Sequence, residues 1–221
     1  MIRQIFVGLI SEGPTDNRFL ESIVNRTFNE IAFECTGDIE TVVVPLKIES
    51  VGLDFVEKTI KASEKGTNEY GIMVLCVHTD ADGPSETKAF EFKIVPAQDA
   101  LSEKATLCQI LVALIPVQMI EAWMLADKEL FKHEIGTSLR DIDLNIHRDP
   151  EQIADPKFTI QEAIRIAREG MTKRRRHELN ISDLYSTLGQ KIAIEKLNAL
   201  RSFQNFKESV REAYRKLNYL H

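Results

Sequence analysis

Two acidic segments follow apolar, strand-like runs of the chain. Glu12 lies two residues after the run at residues 4–10, and two aspartates, Asp80 and Asp82, follow the run at 71–77. Side chains alternate along a strand, so the two aspartates would point to the same side if the backbone stays extended there. A divalent cation such as Mg²⁺ or Mn²⁺ relieves the repulsion between neighbouring carboxylates. The spacing therefore predicts a metal site, although an isolated Asp-X-Asp-Gly is most often a surface turn.

Hydrophobic periodicity places these acidic residues on an α/β scaffold. Strand-like runs at residues 4–10, 39–46, 71–77 and 109–117 alternate with helix-like segments. This order predicts a largely parallel sheet with right-handed crossovers. Functional groups of such sheets gather outside the carboxyl ends of the strands. If the first and third strands are neighbours, Glu12 and the two aspartates meet in one crevice.

The character of the chain changes after the fourth strand-like run. Polar residues with two Asp-Pro steps fill 136–156, and amphipathic helical segments follow them. We therefore predict an α/β domain over residues 1–135 and a helical C-terminal subdomain over residues 157–221. Trp123 and the aromatic residues of the last helical segment are expected to pack in the core.

Composition favours a cytoplasmic protein without a membrane span. No apolar stretch reaches the roughly 18 residues that a transmembrane helix needs. The short apolar N-terminus runs into Ser11 and Glu12 and lacks a cleavage site, so it predicts a strand and not a signal peptide. Three scattered cysteines are typical of buried thiols in a reducing compartment. A Gly-X-X-X-X-Gly-Lys-Ser/Thr loop is absent from the sequence, which excludes a P-loop ATPase.

Basic charge is concentrated towards the C-terminus. The net charge is −6, yet residues 165–216 hold 13 Lys or Arg and 6 Asp or Glu, a balance of +7. The densest basic run consists of Lys173, Arg174, Arg175 and Arg176. Arginine can bind phosphate oxygens through two hydrogen bonds, so this run predicts contact with a nucleic-acid backbone. A solvated loop between helices is the alternative interpretation.

Glu121 and His78 are further candidates for the acidic site. Glu121 follows the fourth strand among apolar residues, where a carboxylate either pairs with a base or reaches a metal. His78 precedes Asp80 by two residues. It either assists proton transfer or is a hydrogen-bonded residue at the end of a strand.

Three segments resemble Toprim domains. Residues 9–16, LISEGPTD, are similar to the strand-then-Glu-Gly-X-Thr-acid signature of Toprim domains in the OLD nuclease group. Residues 74–83 resemble the strand end that carries the Toprim Asp-X-Asp motif. Residues 115–127 resemble a block found in small bacterial Toprim-like proteins. The resemblance covers residues 4–127 well and the helical tail loosely, and it implies a Toprim-like, mostly parallel sheet flanked by helices.

This resemblance implies a nuclease that depends on Mg²⁺ or Mn²⁺. Asp80 and Asp82 would hold the metal, and Glu12 would be a metal ligand or the general acid/base. Glu121 would be a further metal ligand. The substrate would be DNA or RNA, and the partner would be an OLD-like or ABC-like ATPase in a setting associated with phage defence. The number of metal ions and self-association of the chain are left open.

Two other functions stay open at the level of the sequence. A non-catalytic module could bind nucleic acid or the ATPase and hold a metal only structurally, or hold none. A phosphotransferase or phosphatase of another α/β class could also use paired aspartates. Gly83 and Pro84 follow Asp82, so the Asp-X-Asp-X-Thr sequence of the haloacid-dehalogenase form is absent.

Overall fold

A four-stranded parallel sheet forms the centre of the computed structural model, which describes residues 2–49, 51–170 and 179–221. The strand order is β2-β1-β3-β4, and Val7 of β1 lies between Val43 of β2 and Val74 of β3. Every neighbouring pair is parallel, which confirms the predicted α/β class and parallel sheet. The strands are β1 (Arg3–Ile10), β2 (Ile39–Pro45), β3 (Val74–His78) and β4 (Leu111–Leu114).

Helices cover both faces of this sheet. A π-helical turn, Phe90–Ile94, joins α3 to α4, and a short 3₁₀ turn, Pro150–Gln152, precedes α7. Among the described residues, none of the helices is long and apolar enough to cross a bilayer. The helices are α1 (Pro14–Ala32), α2 (Phe55–Tyr70), α3 (Thr87–Ala89), α4 (Val95–Ser102), α5 (Glu121–Met124), α6 (Lys128–Ile135), α7 (Pro156–Ala167), α8 (Ile181–Lys191), α9 (Ile194–Leu197) and α10 (Arg201–Lys216).

The two faces of the sheet bury separate apolar clusters. Val7 and its neighbours on one face pack with α1 and with the helices that follow residue 157. Leu75 and Val77 face the opposite cluster, with α2 and α4. Trp123 is fully buried and makes an edge contact with Phe203, at 5.2 Å between ring centroids, as expected of core residues. The described residues of 157–221 therefore share a core with the sheet, and the separation of this segment as a subdomain stays a prediction.

The C-terminal helices also close the sheet at its β4 edge and pack closely on α1. The hydroxyl of Ser209 on α10 accepts a hydrogen bond from the Ala113 N–H of β4 at 3.1 Å. A second contact joins α1 to α8, where the guanidinium of Arg26 on α1 donates a hydrogen bond to the carbonyl of Gly189 on α8 at 2.8 Å. These contacts fix α8 and α10 relative to the sheet.

The strand order creates a switch point between β1 and β3. From β1 the chain moves outward to β2, and after β3 it moves in the opposite direction to β4. Ligands of open α/β sheets bind outside the carboxyl ends of the strands at such a point. The segments that follow β1 and β3 lie there, so the adjacency that the acidic site requires is present.

Candidate functional site

The turn between β1 and α1 positions Glu12. The Gly13 N–H donates to Asp16 Oδ2 at 2.8 Å, which caps the first turn of α1. The Ser11 hydroxyl donates to the carbonyl of Gly13 at 2.7 Å. Lys58 of α2 donates its ammonium to the carbonyl of Ser11, also at 2.7 Å. These bonds hold the turn in a defined shape at the carboxyl edge of the sheet.

A side-chain hydrogen bond joins this turn to the end of β3. Ile10 of β1 is paired with Val77 of β3. Two residues beyond this pair on each strand, Glu12 comes level with Thr79. The Thr79 hydroxyl donates to Glu12 Oε1 at 2.5 Å. Because Thr79 directly precedes Asp80, the structure brings the two predicted acidic segments together.

Lys93 provides the positive charge nearest to Glu12. Its ammonium lies 2.6 Å from Thr79 Oγ1 and 3.3 Å from Glu12 Oε1, and it lies over the ring of Phe55 at 5.9 Å. The π-helical turn Phe90–Ile94 carries this lysine, and such turns frequently occur at functional sites. Sequence reasoning missed Lys93 because neither a motif nor a regular helical period marks it.

The surroundings of Glu12 favour its charged form. Partial burial raises the pKa of this carboxyl, but the hydrogen bond from Thr79 and the nearby charges of Lys93 and His78 outweigh burial and hold the pKa below its ordinary value. Glu12 is therefore ionised at neutral pH. An ionised carboxylate suits a metal ligand or a proton acceptor and does not suit a general acid.

His78 lies between two carboxylates of the site. Its Nε2 is 3.3 Å from Asp80 Oδ1, and its Nδ1 is 4.0 Å from Asp16 Oδ2. The ring is 1% exposed, and neither nitrogen forms a hydrogen bond within the described part of the chain. Asp80 Oδ1 also accepts a hydrogen bond from the Ile120 N–H at 2.9 Å. Asp16, the acidic residue that ends the Toprim-like segment at residues 9–16, thus lies close to His78 of the site.

Asp82 departs from the extended backbone on which its predicted orientation depends. Its φ is 51°, a left-handed conformation that aspartate tolerates better than most residues. The Asp82 N–H donates a hydrogen bond to the Gln118 carbonyl at 3.0 Å. The Gln118 N–H in turn donates to the Gly83 carbonyl at 2.9 Å. These bonds turn the chain, so the extended backbone on which the shared direction of Asp80 and Asp82 depends is not present at Asp82. The Asp82 residue is exposed, and its catalytic and metal roles stay predictions.

Glu121 is buried on α5 and contacts groups of the C-terminal helices. It is 4% exposed, accepts a hydrogen bond from the Tyr185 hydroxyl, and lies 3.8 Å from the Lys157 ammonium. Burial raises the pKa of Tyr185, and the negative charges of Glu121, Asp16 and Asp80 raise it further. All three carboxylates therefore act on one phenol. Of the two alternatives for Glu121, pairing with a base is present, and the metal role stays a prediction.

The acidic side chains at the switch point supply oxygen atoms of the hard type that Mg²⁺ and Mn²⁺ prefer, but they do not form a complete protein cage. Among the described residues, no three His, Cys, Asp or Glu side chains are grouped so that they could hold a metal ion. Mg²⁺ usually binds through one or two carboxylates and keeps several water molecules. Glu12 and Asp80 follow neighbouring strands at the switch point, so they are the two carboxylates that could contribute to such a site.

The predicted nucleic-acid contacts Lys173, Arg174, Arg175 and Arg176 lie outside the described residues.

Comparison with curated proteins and with solved structures finds no match. The family described as "Domain of unknown function (DUF4276)" matches residues 11–211, a span that contains all the acidic residues of the site. This match covers most of the chain, and the chain therefore belongs to the DUF4276 family.

Proposed function

We propose that this chain is a divalent-cation-dependent phosphodiesterase that cleaves DNA or RNA. The observation that carries the proposal is the hydrogen bond from Thr79 to Glu12, because it joins the two distant segments that carry Glu12 and Asp80 at the switch point of the sheet. Glu12 and Asp80 would hold Mg²⁺ or Mn²⁺. The bound cation would supply positive charge for a phosphate oxygen and lower the pKa of a water molecule.

The side chains around these carboxylates would orient them. Thr79 fixes one oxygen of Glu12, and the Ile120 N–H fixes one oxygen of Asp80. His78 is locked by burial beside Asp80, so it limits the movement of that carboxylate. Ligands held in this way lose little conformational freedom when a cation or a substrate binds.

Electrostatics support a role for a cation in this site. The acidic side chains at the switch point would repel the phosphates of a nucleic acid, and the whole chain also carries a net charge of −6. A divalent cation between Glu12 and Asp80 would reverse the local charge. The alternative of a non-catalytic binding module does not require such a reversal.

Cleavage assays with site variants would test the proposal. The purified chain is incubated with single- and double-stranded DNA and RNA in Mg²⁺, in Mn²⁺ or in a chelator. Glu12→Gln and Asp80→Asn are each expected to lower cleavage about 100-fold or more. Glu69→Gln and Asp99→Asn are matched controls at exposed positions of α2 and α4, and they should cleave like the unaltered chain.

Cleavage that persists in both site variants and in the chelator would overturn the proposal, provided that thermal unfolding shows intact proteins. Binding without cleavage under every metal, with or without an added ATPase, would favour the binding module. An OLD-like or ABC-like ATPase remains the proposed partner, on resemblance alone. Asp82→Asn adds a separate test, because a large loss of activity would show that the cation recruits this exposed residue.

A further inference from the structure

The Lys93 ammonium forms an ion pair with Glu12. It lies 3.3 Å from Glu12 Oε1, the same oxygen atom that accepts the hydrogen bond from Thr79. We propose that Lys93 is a built-in counter-ion that competes with the divalent cation for Glu12 and thereby weakens binding of the cation. The inference rests on the proposed function in one respect, namely that Glu12 is a metal ligand.

The surroundings of Lys93 hold its ammonium near the carboxylate without burying it. Thr79 Oγ1 accepts a hydrogen bond from Lys93 at 2.6 Å, and the ring of Phe55 lies beneath the ammonium at 5.9 Å. The side chains of Lys93 and Glu12 remain 33% and 43% exposed. Solvent weakens an ion pair of this kind, so a cation of higher charge can displace the ammonium.

A second lysine at the same turn provides a matched comparison. Lys58 also donates its ammonium within the turn after β1, but its acceptor is the backbone carbonyl of Ser11 at 2.7 Å and not a carboxylate. Removing either ammonium takes one positive charge away from the neighbourhood of Glu12. Only removal of Lys93 also takes a direct contact away from the Glu12 oxygen, which keeps its hydrogen bond from Thr79.

Removal of the Lys93 charge should therefore tighten binding of the cation. Without it, the ionised Glu12 loses a partner in the metal-free state, and the bound cation no longer meets a positive charge nearby. Lys93→Met is expected to bind Mn²⁺ about fivefold more tightly than the unaltered chain, the change expected from loss of one partly exposed ion pair. Lys93→Arg keeps the charge and should change the affinity by less than about twofold.

Isothermal titration of the full chain with Mn²⁺ measures these affinities without reference to cleavage. Tighter binding by Lys93→Met, with little change for Lys93→Arg and Lys58→Met, supports the inference, as does binding by Lys93→Met alone. Equal or weaker binding by Lys93→Met overturns it while leaving the proposed function intact. Absence of binding in every protein overturns both.

Nuclear magnetic resonance of the lysine ammonium groups tests the same displacement in the unaltered chain and does not depend on a variant that folds. Addition of Mg²⁺ should shift or broaden the Lys93 ammonium signal, whereas the Lys58 signal should change little. A Lys93 signal that stays unchanged at saturating Mg²⁺ would show that the ammonium does not leave Glu12, and the inference would be overturned.

Discussion

Apart from the exposed Asp82, the carboxylates of the acidic site each lie beside a compensating group of the protein itself. Glu12 has Thr79 and Lys93, and Asp80 has the Ile120 N–H and the nearby His78. Buried or half-buried charges are costly unless they are paired in this way. The site can therefore form before any cation binds, which separates folding of the chain from metal binding. The remaining pairs are Gly13 N–H with Asp16, and Tyr185 and Lys157 with Glu121.

The hydrogen bond between Tyr185 and Glu121 should contribute more to stability than an ordinary tyrosine hydrogen bond. Glu121 is buried, so loss of the phenol leaves a charged group poorly compensated. Tyr185→Phe is expected to lower the free energy of unfolding by about 2 kcal/mol. Tyr214→Phe is the matched control and should cost about 1 kcal/mol, because that buried hydroxyl contacts only neutral oxygen atoms, Thr41 Oγ1 and the Phe28 carbonyl.

Urea unfolding at pH 7 measures both changes in stability. A cost for Tyr185→Phe no greater than that for Tyr214→Phe would contradict the larger contribution expected of the hydrogen bond to Glu121.

The secondary-structure elements explain which parts of the site could be predicted from the sequence. The apolar runs that precede Glu12 and Asp80 indicated two strands and their carboxyl ends. A parallel strand that is buried on both faces has such a continuous apolar sequence. The position of Lys93 depends on a π-helical turn, which leaves no periodic pattern. The orientation of Asp82 depends on backbone bonds to Gln118, a residue from a distant loop. Local periodicity carries no information about such contacts.

The close packing of α8 on α1 should make Gly189 intolerant of any side chain. A Cβ atom at this position would lie 2.3 Å from the carbonyl oxygen of Phe19, a backbone atom that cannot move away alone. Gly189→Ala is therefore expected to lower the free energy of unfolding by about 3 kcal/mol. Because α8 also carries Tyr185, the shift should weaken its hydrogen bond with Glu121.

Thermal unfolding of the variant and of a glycine control measures this effect. Gly170→Ala is the matched control, since a Cβ atom there meets no described residue within 4 Å, and its stability should stay close to that of the unaltered chain. Equal stabilities for the two variants would mean that α8 is packed less closely on α1 than the structure describes.

At the scale of the whole molecule, several basic side chains of residues 165–216 form ion pairs with acidic side chains, which compensate their charge. A paired basic side chain contributes little to an attractive field for a polyanion, because its acidic partner cancels most of its charge at a distance. The excess of basic residues in this part of the chain therefore depends strongly on the run at 173–176. The pairs are Arg165 with Glu162, Lys191 with Glu134, Lys207 with Glu30, Arg211 with Glu34, and Arg215 with Glu208.

Substitution of the basic run by glutamine should therefore weaken nucleic-acid binding and also make it less dependent on salt. Each phosphate contact that is lost reduces the slope of log affinity against log salt by about 0.7 to 0.9, because fewer counterions are released. Fluorescence anisotropy in a chelator, at several salt concentrations, measures affinity without cleavage. A second variant removes the same charge from exposed or half-exposed lysines elsewhere. Its slope of log affinity against log salt should stay that of the unaltered chain. Equal slopes in the two variants would show that only the total charge matters and that the basic run has no specific role. The substituted residues are Lys173, Arg174, Arg175 and Arg176 in the first variant, and Lys47, Lys61, Lys65 and Lys104 in the second.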